Sequence, residues 1–228
     1  MRALIVGYGR MGKLVASLCP EYGIEVAGTV DVPEAGVPER WPVADVAIDF
    51  STAGAVVENV GRLAARGVNV VIGTTGWAAS EAEVRRIASD AGIGVVAAPN
   101  FSLGVNLFAA LVERAAEVLQ PQPGFGAFIH EAHHAAKRDA PSGTALWLDT
   151  VLRERGYNRA VDISSTRAGF IPGTHTVGFD ADGETITLTH TARDRSGFAR
   201  GALEAARWVQ GRSGWFTMRD VLGLATGD

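Results

Sequence analysis

Glu131 to Ala145 reads EAHHAAKRDAPSGTA and gathers an unusual amount of chemistry into fifteen residues. His133 and His134 bring imidazole, whose unperturbed pKa of ~6.5 lets it give or take a proton near neutrality. Lys137 adds a fixed cation suited to holding a carboxylate. Ser142 is placed to cap a helix, so that Gly143 and Thr144 offer backbone N–H groups to an anion at the helix's positive end. Such a set suits a small carboxylate-bearing substrate that must be protonated. A zinc site from His130, His133 and His134 is not expected: carboxylates at ligand spacing are missing, and Lys137 would repel a cation. His130 reads as structural, as do His175 and His190, with a place lining the site left open for either of the last two.

The second chemical feature is the opening, MRALIVGYGRMGKLVA. An apolar strand over Arg2 to Val6 runs into Gly7-Tyr8-Gly9-Arg10-Met11-Gly12, a G-x-G-x-x-G loop, and then into a helical pattern that Pro20 ends. The first glycine permits a tight turn. The second lets backbone approach a pyrophosphate, and the third lets helix pack on strand. A second strand, Ile24 to Val30, ends at Asp31, an acid able to accept hydrogen bonds from ribose hydroxyls. The pattern predicts dinucleotide binding.

The elements that must position these residues follow from the apolar periodicity. Strands are predicted at Asp45–Phe50, Val68–Ile72 and Ile93–Ala97. A helix over 53–65 follows the first, and a helix opened by a Ser80/Glu83 capping box follows the second. The alternation implies a doubly wound parallel sheet binding ligands at the strands' carboxyl ends. Gly73-Thr74-Thr75-Gly76 and Ala98-Pro99-Asn100-Phe101 both fall there. After Phe101 the pattern changes: a helix over 106–119, a strand over 127–131 that delivers the histidine segment, and a helix from Ser142 to about Arg155. Ile163–Arg167, His175–Phe179 and Thr185–Thr191 then read as antiparallel strands. A last helix over 198–210 and the tail GWFTMRDVLGL return to the first domain. The plan is α/β: a Rossmann-like domain of residues 1–101 plus 195–228, with an inserted α+β domain of residues 102–194.

Composition sets bounds on this plan. The 228 residues are 47% hydrophobic and 20% charged, ordinary for a globular chain with a sizeable core. A net charge of −4 argues against nucleic acid as the main partner. The single cysteine, Cys19, cannot form an internal disulfide and reads as a small buried hydrophobe in a reducing compartment. No apolar run would span a membrane, so a cytoplasmic protein without membrane attachment is expected. The five tryptophans read as packing residues.

Taken together, VGYGRMG, DVAIDFS, GTTG, APNFSLGVN, EAHHAAKRDAPSGTA, RAGFIPGTHTV, HTARDRSGFARGAL and the MRDVL tail resemble the dihydrodipicolinate reductase (4-hydroxy-tetrahydrodipicolinate reductase) family of the diaminopimelate–lysine pathway. The resemblance spans nearly the whole chain. It implies hydride transfer from NADH or NADPH to a cyclic unsaturated dicarboxylate, and a homotetramer assembled through the second domain's sheet. It assigns His133 as acid/base and Lys137 as second proton donor and substrate-holding cation. His134, Gly143 and Thr144 then bind substrate. Gly7 to Gly12 and Asp31 hold adenosine and pyrophosphate, while Gly73 to Thr75 and Ala98 to Phe101 lie near nicotinamide. The glycine loop is one residue shorter than the family's usual loop, and the 31–45 segment is shortened to a loop. Val32 stands where many members carry a basic residue, so Asp31 without a neighbouring cation points to NADH as the preferred cofactor, with NADPH also accepted in the family. The residues taken alone leave open a nucleotide sensor that kept the fold, or a different dehydrogenase with the same two-domain plan.

Overall fold

The computed structural model describes residues 1–31 and 40–224, and these fall into two compact units, one made of those up to Leu103 and those from Ser196 on, the other of Gly104–Arg195. The first alternates strand and helix as its apolar periodicity requires. Its elements are β1 (Arg2–Val6), α1 (Arg10–Leu18), β2 (Glu25–Val30), β3 (Val46–Asp49), α2 (Val56–Ala64), β4 (Asn69–Ile72), α3 (Glu81–Ala91) and β5 (Gly94–Ala97). α4 (Leu103–Leu119) leads into the second unit, made of β6 (Gly126–His133), α5 (Gly143–Glu154), β7 (Val161–Arg167), β8 (Thr174–Ala181) and β9 (Glu184–Thr191). α6 (Ser196–Val209), β10 (Gly214–Phe216) and α7 (Met218–Val221) complete the first.

The first unit's sheet has the order β10-β5-β4-β3-β1-β2, and every pairing is parallel. Strands covered on both faces read as continuous apolar runs rather than alternating ones, and β3 and β4 are buried at every position. One face packs Ile5, Ile48 and Val96 against Val15 of α1 and Leu203, Ala206 and Val209 of α6. The other packs Leu4, Val70 and Ile72 against Val60 and Leu63 of α2 and Val84 of α3. This is the doubly wound arrangement expected. The small residues of α6 have a purpose: a Cβ on Gly201 would lie 1.7 Å from the Phe101 carbonyl oxygen, so the helix and the 98–101 segment meet backbone to backbone.

The second unit is a mixed sheet in the order β7-β6-β8-β9 with one covered face. Phe108 and Val112 of α4 and Leu148 and Leu152 of α5 pack there on Ile129, Val177 and Phe179. The other face carries threonines paired across β8 and β9: Thr174 with Thr191 at 3.2 Å and Thr176 with Thr189 at 2.9 Å.

Several expectations need correction. β7 is parallel to β6, whereas all three late strands read as antiparallel. The reason is the helix between them: α5 carries the chain back to the starting end of the sheet, and such a crossover makes its two strands parallel. Only β8 and β9 join the sheet antiparallel. The Ser80/Glu83 capping box is not formed: Ser80 makes no side-chain cap, and a 3-10 turn over Ala78–Ser80 leads into α3 instead. α4 starts at Leu103 rather than at 106, and β6 runs on to His133 rather than ending at 131. Among the described residues no helix is long and apolar enough to cross a membrane.

Candidate active site

In the first unit the glycine loop is built as its sequence demands. Gly7 has φ +84°, and a Cβ there would lie 2.5 Å from the Phe50 carbonyl oxygen. Its N–H donates to the Val30 carbonyl at 2.7 Å, tying the loop to the strand end that precedes Asp31. A Cβ on Gly12 would lie 2.1 Å from the Gly7 carbonyl oxygen, so α1 seats against the turn only through glycine. Gly9 faces open space and caps α1 with no side-chain acceptor, leaving the first N–H groups of the helix for an outside anion. Arg10 and Asp31 are exposed beside it. Tyr8 and Met11 pack their side chains against the core. Val32 lies outside the described residues.

At the ends of β4 and β5 a cleft of about 380 Å³ is lined by Thr74, Thr75, Ala98 and Pro99, with Trp77 and Trp215 as walls. The two indoles pack with centroids 6.2 Å apart, and the Arg85 guanidinium lies 4.3 Å from the Trp215 ring centroid. These tryptophans therefore pack and also face the cleft. Gly73 is required because the Phe50 ring occupies the place of its side chain, 2.2 Å from a built Cβ. Asn100 accepts from the Ser102 N–H at 2.8 Å, and the Phe101 side chain is in the core. Sequence reasoning missed Asp49, fully buried beneath this loop. It accepts from the Thr74 hydroxyl (2.8 Å), the Asn59 amide (3.0 Å) and the Ser51 N–H (2.8 Å). Buried polar groups so satisfied hold the 73–75 segment in one conformation.

The second unit holds the histidine segment. β6 buries alternate residues, so Glu131 and His133 point inward on the same face. His133 Nδ1 is hydrogen-bonded to the Glu131 carboxylate. Arg167 on β7 grips both oxygens of that carboxylate, at 2.6 and 2.9 Å, and the Ser142 N–H donates to it at 3.2 Å. Arg167 also donates to the Asp139 carbonyl at 2.6 Å. On β8, His175 is buried edge-on to His133, with centroids 5.1 Å apart, and its Nε2 lies 3.1 Å from the Ser142 hydroxyl. That hydroxyl also accepts from the Ala145 N–H, so the predicted cap of α5 is formed. Gly173 (φ +148°) passes so close that a Cβ would sit 3.1 Å from His133 Nε2.

Charges in this cluster are shifted by identifiable causes. Burial alone would raise the Glu131 carboxyl, but hydrogen bonds from Arg167, Ser165 and His133 outweigh it and hold the pKa at about 2. His133 is pushed below its ordinary 6.5 by burial; Glu131 counters that, and Lys137 and Arg167 add to it. Burial, with the neighbouring His133, takes His175 down to about 4. Lys137 Nζ contacts both Asp139 oxygens, at 2.7 and 2.9 Å, and this holds the Asp139 carboxyl low.

Of the predicted substrate residues, His133 lies at the centre of this network, and Gly143 and Thr144 form the capped opening of α5. Lys137 is turned toward Asp139, and His134 lies at the strand's end, where its carbonyl accepts from the Lys137 N–H at 3.0 Å. His130 faces the other side of β6, against Ser164 at 2.9 Å. Glu131 and Arg167 were missed as partners of His133, and His175, one of the two histidines left open as lining the site, lies against it. Alternation along β6 is the signal that would have found Glu131. The carboxylate thought missing near the histidines is thus present, and Glu131, His133 and His175 offer ligand atoms within 4.8 Å of one another. Arg167 and His133 engage both Glu131 oxygens, and Ser142 engages His175, so a cation would have to displace all of them.

The glycine-loop parallel-sheet unit has the plan of a dinucleotide-binding fold, and the mixed-sheet unit carries a buried histidine paired with a carboxylate. Comparison with known proteins narrows this plan. Residues 1–101 match the model of the dihydrodipicolinate reductase N-terminus and residues 104–222 that of its C-terminus. The 4-hydroxy-tetrahydrodipicolinate reductase of Myxococcus xanthus is 40% identical over 269 aligned residues, covering 98% of each chain. That of Christiangramia forsetii is 34% identical, covering 97% of this chain and 98% of its own. Among solved structures, dipicolinate-bound dihydrodipicolinate reductase from Paenisporosarcina sp. TG-14 superposes with TM-score 0.79 at 23% identity, over 95% of this chain and 97% of that one. A probable dehydrogenase from Thermotoga maritima shares the fold at TM-score 0.62 and 10% identity. The chain belongs to the dihydrodipicolinate reductase family, whose members are pyridine-nucleotide-dependent reductases.

Proposed function

We propose that this protein reduces dihydrodipicolinate, formed from 4-hydroxy-tetrahydrodipicolinate when its 4-hydroxyl leaves as water, to tetrahydrodipicolinate at the expense of NADH, with NADPH as a second donor. The observation that carries the reading is the buried His133, held at Nδ1 by Glu131, in a chain that matches this reductase family over both halves. The first unit fits a dinucleotide: a cradle of glycines where side chains would collide, an uncapped helix opening, and Asp31 ending the adjacent strand. Gly7 to Gly12 and Asp31 would hold the pyrophosphate and adenosine, and Gly73 to Thr75 with Ala98 to Phe101 the nicotinamide. The bound nicotinamide supplies the hydride.

The second unit's residues supply the rest. Lys137 and the N–H groups of Gly143 and Thr144 hold the substrate's carboxylates, and His134 borders them. Lys137 exchanges Asp139 for a substrate carboxylate of the same charge, so the cation stays paired. Hydride addition to the electron-poor conjugated carbon leaves charge on its neighbour, and His133 delivers a proton there from Nε2. Burial lowers the His133 pKa, and an arriving dicarboxylate adds negative charge beside it that favours the protonated donor. A homotetramer built through the second unit's sheet, in the cytoplasm, belongs to the same proposal; the exposed side of β9, with Ile186 42% exposed, supports it. The test is NAD(P)H oxidation by purified protein supplied with dihydrodipicolinate synthase, pyruvate and aspartate semialdehyde. Oxidation that depends on the synthase supports the function; NADH binding without oxidation refutes it and favours a sensor.

A further inference from the structure

We infer that Glu131, clamped by Arg167, is a positioning residue that fixes both the tautomer and the proton-donating readiness of His133. The inference rests on the reductase reading for its kinetic arm only.

Three observations carry it. First, Glu131 is fully buried and two residues before His133 on the same strand, so its carboxylate reaches Nδ1 of the ring. An ionised carboxylate only accepts, so Nδ1 must carry hydrogen, and Nε2 is the nitrogen left to exchange protons. Second, Glu131 is itself immobilised from two sides. The Arg167 guanidinium binds it bidentately at 2.6 and 2.9 Å, and the Ser142 N–H adds a third bond at 3.2 Å. A bidentate fork holds a carboxylate's plane as well as its place. Third, the free Nε2 edge of His133 is bordered by Gly173, where any side chain would press on the ring.

The charged and titratable groups facing His133 divide by sign. Glu131 on β6 favours imidazolium. Lys137 in the following loop, Arg167 on β7 and His175 on β8 oppose it. Among these described residues Glu131 is therefore the only negative group that faces His133, and its removal leaves three opposing ones. Ser142 links the device to the substrate end: its N–H holds Glu131, its hydroxyl caps α5, and Gly143 and Thr144 follow directly.

The test has two arms. In wild-type protein, nitrogen-15 imidazole shifts should show neutral His133 with hydrogen on Nδ1; hydrogen on Nε2 instead would overturn the inference whether or not the protein is a reductase. In Glu131→Gln, which keeps the shape but not the charge, the His133 titration midpoint should fall by about 1 pH unit. Its kcat near neutrality should fall at least about 10-fold, because a midpoint about 1 pH unit lower leaves His133 protonated about tenfold less often. KM should change little, and the deficit should shrink as pH is lowered. A deficit equal at every pH, with an unmoved midpoint, would make Glu131 merely structural and overturn the inference. Should that variant not fold, the wild-type tautomer still decides. Failure of wild-type turnover, by contrast, refutes the reductase reading and leaves the imidazole measurements standing.

Discussion

Acid should destabilise the second unit through His175, and the size of the effect follows from its burial. His175 is 5% exposed and held neutral, with its pKa lowered from 6.5 to about 4. Between those values the unfolded chain binds a proton that the folded chain refuses, so stability falls as pH drops through that window. The sign is opposite for a salt-bridged histidine, whose stability is lost as pH rises. Going from about pH 7 to about pH 5, linkage for one group with these two pKa values amounts to about 2 kcal/mol. His175→Gln should remove that dependence, because glutamine can still meet the Ser142 hydroxyl but does not titrate. Urea unfolding at the two pH values, followed through hydrogen exchange of β6 and β8 amides, reports on the second unit alone. Wild type should lose about 2 kcal/mol more than the variant. Equal losses would refute the reasoning and show that His175 is not held neutral by its surroundings.

His133→Ala and Lys137→Ala should each lower kcat roughly 10²- to 10⁴-fold, the range for a lost general acid or charge stabiliser. NADH affinity by fluorescence titration should barely move; weakening as large as the loss of turnover would place these residues on the wrong ligand. NADH should be favoured over NADPH by on the order of 1.5–3 kcal/mol, about 10- to 150-fold in kcat/KM, because Asp31 repels a 2′-phosphate. Val32→Arg should narrow that gap; equal kinetics with both cofactors in wild type would show that Arg10 overrides Asp31. Gly201→Ala should cost at least about 1–3 kcal/mol, since its Cβ would lie 1.7 Å from the Phe101 carbonyl oxygen and must push α6 off the 98–101 segment. An unchanged melting temperature and unchanged NADH affinity would sink that account.

Much of this protein was legible from local pattern alone. The glycine loop, the buried parallel strands and the cap at Ser142 are short-range features: a glycine that must avoid a neighbour's backbone, an apolar run, or a hydroxyl three residues before an N–H. Each is written where it acts. His133, Lys137, Gly143 and Thr144 were likewise visible because one segment carries them all. The Ser80/Glu83 box shows the limit of such reading, since the same residue types were present and the backbone turned differently.

What only the tertiary structure decided is which distant groups surround the chemistry. Arg167 stands 36 residues beyond Glu131, and it reaches both carboxylate oxygens because β7 lies parallel to β6. Strand direction is a property of how α5 crosses the sheet, and the alternation of Val161–Arg167 is the same in either direction. His175 comes to His133 through antiparallel pairing of β8, and Asp49 comes to Thr74 through parallel pairing of β3 with β4. The sequence by itself marked His133 as the candidate acid/base and the glycine loop as the candidate dinucleotide site. Tertiary packing decided the state in which that histidine is held, because protonation depends on burial and on charges brought together from separate strands.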